Sequence, residues 1–139
     1  MFNSIPLRCY VPKGREEDAK RTFKNTAEMM KIFEEYFTLK YPYNKYSQVV
    51  AKGLGEAGIA GMEHTTCTTL DIDYVLIPSS APRDVNRDDV IAHELAHQWF
   101  GDLVTCRDWQ HIWLNEGFAA FCEALYFEKV GVRKNTSNT

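Results

Sequence analysis

Apolar side chains recur at three- and four-residue steps from Ala19 through Phe23, Ala27, Met30 and Phe33 to Phe37. That period predicts one long amphipathic helix, from about Glu16 to about Lys40, with its aromatic stripe turned to a core. Glu16, Glu17 and Asp18 suit the positive end of such a helix, and Pro42 stops it. Before it, Arg8 to Val11 reads as a short strand closed by Pro12 and Gly14. After it the pattern becomes strand-like over Tyr46 to Ala51, Ala60 to His64, Thr65 to Leu70 and Asp73 to Ile77. Pro78 to Pro82 reads as a loop. A buried helix follows, capped by Asp84 or Asn86 and running to about Phe100, where Gly101 ends it. A connector through Leu103 to Thr105 and Arg107 to Trp109 leads to a last helix, from about His111 to Val130. Residues 132–139 read as a frayed polar tail.

Gly53, Gly55 and Gly58 match the letters of a dinucleotide-binding loop, and Asp71 or Asp73 lies near the offset that loop requires. The reading fails on what comes next. Gly61 and the run Thr65-Thr66-Cys67-Thr68-Thr69 favour strand or turn where a helix should open. A loop leading into an edge strand is the better account.

Composition narrows the classes. At 139 residues, 45% of them hydrophobic, the chain builds one domain around one core. A net charge of −3 with mixed signs gives no reason to expect a nucleic-acid partner. No apolar run approaches a membrane span, and the start lacks the basic-then-apolar pattern of a signal peptide, so cytoplasm is the default location. Cys9, Cys67, Cys106 and Cys122 are far apart, which favours four reduced thiols over a cysteine zinc site.

The chemistry is carried by His93-Glu94-Leu95-Ala96-His97. Histidines four apart share a helix face, so both imidazoles reach one ion. Eighteen residues separate His97 from Glu116, a length that suits a helix, a turn and a second helix packed back on the first. His93, His97 and Glu116 make the three-ligand set of one catalytic Zn2+, with a fourth position left for water. Glu94 then stands as the base for that water. A surface helix can carry this spacing by chance. Here Val90, Ile91, Leu95, Trp99 and Phe100 surround the motif with apolar residues, and a buried Glu between two buried His is costly without a metal. Glu116, Ala120, Glu123 and Phe127 are spaced four, three and four, so Glu123 shares a face with Glu116 and is a candidate to accept the second ring N–H of a ligand histidine. Asp102 is its rival. His64 and His111 read as hydrogen-bonding surface or rim residues.

Ile91 to Thr105, then Trp113-Leu114-Asn115-Glu116-Gly117-Phe118-Ala119, with Ala60-Gly61-Met62-Glu63-His64 upstream, resembles the zinc aminopeptidases related to aminopeptidase N. The motifs appear in the family's order, and the likeness covers most of residues 6 to 130. Three positions depart from the family's Gly-Ala-Met-Glu-Asn: the first two residues read Ala-Gly, and His64 replaces Asn.

The resemblance implies an α+β fold, the thermolysin-like zincin subdomain. It would have a small mixed β-sheet, a long N-terminal helix, a zinc-motif helix and a C-terminal helix. It implies a single partial catalytic domain over 1–139, with an entry strand in 1–14 and the peptidase core in 15–131. It implies peptide substrates cut at the N-terminal residue, with Glu63 binding the free α-amino group. The strand carrying Gly61 and Met62 would pair with the substrate backbone. The family's oxyanion-binding tyrosine would lie past Thr139, and its β-rich and helical neighbouring domains are expected to be missing. Self-association, or docking by those domains, follows from the apolar stripe Leu114, Phe118, Phe121, Leu125. The alternatives are a minimal zinc endopeptidase and a folded zinc-binding module with little catalysis.

Overall fold

The computed structural model describes residues 4–136, with side chains through Gly131. Its strands are β1 (Leu7–Tyr10), β2 (Tyr46–Ala51), β3 (Gly61–Met62) and β4 (Cys67–Asp71). They form one sheet in the order β1-β2-β4-β3. β2 runs parallel to β1 and β4, with Leu7 opposite Tyr46 and Ser47 opposite Cys67. β3 closes one edge antiparallel to β4, with Gly61 opposite Leu70 and Met62 opposite Thr69. The helices are α1 (Glu16–Thr22), α2 (Thr26–Phe37), α3 (Ile72–Val75), α4 (Asp88–Ala96) and α5 (Glu116–Thr136). The class is α+β. Among the described residues no helix is long and apolar enough to cross a membrane.

The core lies between the sheet and α2, α4 and α5. Met29, Met30, Ile32 and Phe33 of α2 are fully buried, each such side chain contributing about 1.5–3 kcal/mol by leaving water. Trp99 is the aromatic hub, with the rings of Phe37 and Tyr41 edge-on at 5.4 and 5.5 Å. The buried stripe of α5 is Ala119, Cys122 and Tyr126. The expected stripe is offset from it by about a residue: Phe121 is exposed, while Phe118 is half-covered by stacking on Phe100.

Several boundaries differ from the periodicity. The expected long first helix is two helices, because side chains at the break bond elsewhere. Thr22 Oγ1 accepts from the Ile77 amide at 2.9 Å, Asn25 Nδ2 donates to Asp88 at 2.8 Å, and Thr26 Oγ1 donates to Gln48 at 3.1 Å. The expected strand at Asp73 to Ile77 begins instead with the single turn α3. Asp71 caps it, Oδ1 accepting from the amides of Asp73 and Tyr74 and Oδ2 from Gly55. The glycine loop holds a 3-10 turn at Gly55–Ala57 and feeds edge strand β3.

At the start of α4, Arg87 is the cap residue and gives no side-chain bond, while Asn86 Oδ1 accepts from the Asp88 amide at 3.3 Å. Asp88 is buried and receives Asn25 Nδ2 and the Tyr126 hydroxyl, tying the start of α4 to α2 and α5. α4 ends at Ala96, four residues early, as the bonds tighten to the Leu95 and Ala96 carbonyls and Gly101 turns with φ +138°. The expected last helix is a 3-10 segment, Trp109–Leu114, followed by α5, which continues to Thr136. Of the expected frayed tail, residues 137–139 lie outside the described residues.

Candidate active site

α4 and α5 cross so that the three ligand candidates converge. His93 Nε2 lies 3.2 Å from Glu116 Oε2, and His97 Nε2 lies 3.6 Å from the same oxygen. One donor atom from each of the three fits within 4.8 Å of the others. A tetrahedral zinc with bonds of about 2.0–2.1 Å separates its donors by about 3.3 Å. The donor set and its spacing therefore fit that ion. Burial grades across the trio: the His97 side chain is 1% exposed, His93 22% and Glu116 53%.

The outer nitrogens are also held. His93 Nδ1 meets Glu123 Oε1 at 2.7 Å, and His97 Nδ1 meets the Phe100 carbonyl at 3.0 Å. Asp102 does not take the role weighed for it. Its carboxylate bonds Gln98 Nε2 at 2.8 Å, and the ring nitrogens of both ligand candidates have other partners. His64 reaches Thr69 Oγ1 and His111 reaches Asp108, both away from the trio.

Glu94 is buried, and its Oε2 has no hydrogen-bond partner among the described residues. Burial pushes its carboxyl up to about 8, and the charges of Glu63, Glu116, Asp102 and Glu123 push the same way. Burial likewise raises Asp102 to about 6. A cleft this rich in carboxylates suits a cation. Gly61 explains how Glu94 fits: a Cβ there would stand 2.5 Å from Glu94 Oε1. The glycine of β3 gives room to the candidate base. Glu63 follows on the same edge, grouped with Glu94 and His97 within 4.8 Å. Gly61, Met62, Glu63, Glu94 and the trio all line one cleft of about 430 Å³.

Two positioning residues escaped the sequence reading. Gln98 is fully buried: its Oε1 accepts from the Thr66 amide at 2.8 Å, and its Nε2 lies 3.3 Å from the Glu63 carbonyl. Asn115 Nδ2 donates to Glu63 Oε1 at 3.3 Å. The signal for Gln98 was its place between His97 and Trp99 on an apolar helix, since a buried amide must find partners.

Residues 21–139 match the peptidase family M1 domain. The chain is 41% identical over 125 residues to aminopeptidase N of Acetobacter pasteurianus, covering 86% of this chain and 34% of that one. It is 33% identical over 120 residues to human glutamyl aminopeptidase, covering 86% of this chain and 12% of the relative. An M1 zinc metallopeptidase from Deinococcus radiodurans superposes with a TM-score of 0.57 at 32% identity, over 87% of this chain and 22% of that one. The same enzyme in mutant form has been solved bound to a Tyr-Ser-Ala substrate. The chain thus spans about a third or less of the length of these curated relatives.

Proposed function

The chain belongs to peptidase family M1, and from that premise we propose that it is the catalytic core of a zinc aminopeptidase that removes N-terminal residues from peptides. The carrying observation is the convergence of His93 Nε2, His97 Nε2 and Glu116 Oε2, with Oε2 of Glu94 buried beside them and unpartnered among the described residues. Those three residues would hold one zinc ion. Zinc bound there supplies a Lewis acid that polarises the scissile carbonyl and brings the pKa of water to about 7.

The chain's own groups divide the remaining work. Glu94 takes a proton at its free Oε2 from the attacking water and delivers it to the leaving amine. Glu123 holds the His93 ring through Nδ1, and the Phe100 carbonyl holds His97, so both Nε2 atoms stay aimed at the centre. Among the described residues β3 pairs with β4 alone, which leaves its outer edge for an extended substrate backbone at Gly61 and Met62. Glu63 receives the substrate's α-ammonium, a charge that relieves its repulsion with Glu94.

Comparing L-leucine p-nitroanilide with its N-acetylated form tests the proposal. Cleavage of the free substrate alone supports it. Equal cleavage of both points to an endopeptidase, and zinc bound without turnover of either points to a binding module.

A further inference from the structure

We infer that Asn115 is a positioning residue that fixes the distance between the metal ligands and Glu63, and so helps to select a free amino terminus. The inference rests on the reading of Glu63 as the ammonium acceptor and of Glu116 as a ligand.

Asn115 immediately precedes Glu116, at the joint between the 3-10 segment and α5. Its amide donates to the Ile112 carbonyl at 2.9 Å, and its carbonyl accepts from the Ala119 amide at 3.1 Å. The backbone that places the ligand carboxylate is thus the backbone of Asn115. Its side chain, on a residue 9% exposed, turns to the amine-binding residue, Nδ2 donating to Glu63 Oε1 at 3.3 Å. Oδ1 is buried with no partner among the described residues. Flipping the amide would bring that oxygen against a carboxylate, so Glu63 dictates the orientation.

Gly101 supports the same point from below. With φ +138° it carries no side chain, and a Cβ would stand 2.9 Å from Asn115 Nδ2 and 3.3 Å from His97 Nδ1. The amide and the ligand imidazole therefore share the space that one glycine leaves. Glu63 is held twice, its carbonyl beside Gln98 of the zinc-motif segment and its carboxylate by Asn115 at the start of α5. One residue's covalent length, Asn115 to Glu116, then separates the side chain that holds the ammonium acceptor from a ligand candidate. Asparagine is also neutral. An acid at this position would set two carboxylates side by side and turn a donor into a repulsion.

The test uses Asn115→Asp, Asn115→Ser, Glu63→Gln and the double variant Asn115→Asp/Glu63→Gln in the whole chain. Zinc content, melting temperature and the calorimetric dissociation constant of L-arginine are measured for each. Asn115→Asp is expected to weaken L-arginine about tenfold or more, the worth of a hydrogen bond to a charged group, at full zinc content. In the Glu63→Gln background the same substitution should have little effect. Asn115→Ser, which adds no charge, should weaken binding less than Asn115→Asp. Loss of L-arginine binding in Glu63→Gln with none in either Asn115 variant overturns the inference alone. Unchanged binding in all variants overturns the reading of Glu63 and the inference with it. Equal losses from Asn115→Asp in both backgrounds, or loss of zinc with amine affinity retained, show a role elsewhere and also overturn it.

Discussion

His93 Nδ1 and Glu123 Oε1 stand 2.7 Å apart across the α4–α5 interface, so the carboxylate of one helix orients the imidazole of the other. Carboxylates in this position tune metal affinity by fixing the ring and raising its basicity. Glu123→Ala is expected to lower zinc affinity about 10- to 100-fold, measured by competition with a chelator. Asp102→Ala should change it far less, because Asp102 bonds Gln98. Equal affinities for the parent and Glu123→Ala would remove Glu123 from the site.

The ligand trio predicts graded costs. His93→Ala, His97→Ala and Glu116→Ala should each lose stoichiometric zinc by elemental analysis. His97 is nearly inaccessible while Glu116 is half exposed, so without metal His97→Ala should melt lowest and Glu116→Ala near the parent. Full zinc occupancy in either histidine variant would refute the assignment.

Glu94→Gln preserves shape and removes the base. Zinc content should stay at the parental level while hydrolysis of L-leucine p-nitroanilide falls by about 10²–10⁴. Retained turnover, or lost zinc, would contradict the role.

Gly61→Ala tests the packing of β3 on the base. The added methyl would meet Glu94 Oε1 at 2.5 Å and must displace either the carboxylate or the edge strand. Hydrolysis is expected to drop at least tenfold, an order of magnitude consistent with misplacing a reacting group, with zinc retained. Parental kcat/KM in this variant would show that the contact has no bearing on catalysis.

Trp113 and Phe121 are each more than half exposed, and Phe118 lies between them on the surface of α5 and the preceding turn. An apolar patch of this kind seeks cover. Sedimentation at rising concentration should reveal dimers or larger species, and Phe121→Glu should shift them towards monomer. A parent that stays monomeric throughout would refute this expectation.

The parts legible in the sequence were those set by short-range geometry. Histidines four apart share a face of any helix, and the approach of Glu116 needs only a helix–turn–helix of the right length. Tyr46 to Ala51 was readable because a central strand buried on both sides is almost wholly apolar or small. What escaped depends on partners distant in sequence. The helix broke after Thr22 because the Ile77 amide, 55 residues away, needed a hydroxyl. The strand expected after Asp71 became a turn because one carboxylate captured three amides. Gly61 looked like a concession to substrate, and its closest neighbour proved to be Glu94. Periodicity carries no trace of such bonds.

The break between α1 and α2 also sets an order in time. Its side chains reach Gln48, Ile77 and Asp88, which lie 22, 55 and 63 residues further on. A chain made from its N-terminus presents Gln48 and Ile77 before the zinc-motif helix exists, and Asp88 is that helix's first residue. That helix is seated at Asp88 as it is completed, so both histidines wait on a prepared surface. Glu116 comes later, and Glu123 and Tyr126 later still. The proposed metal centre is therefore completed only after the sheet and the first helices are made, and until α5 arrives two of its three ligand candidates wait without the third.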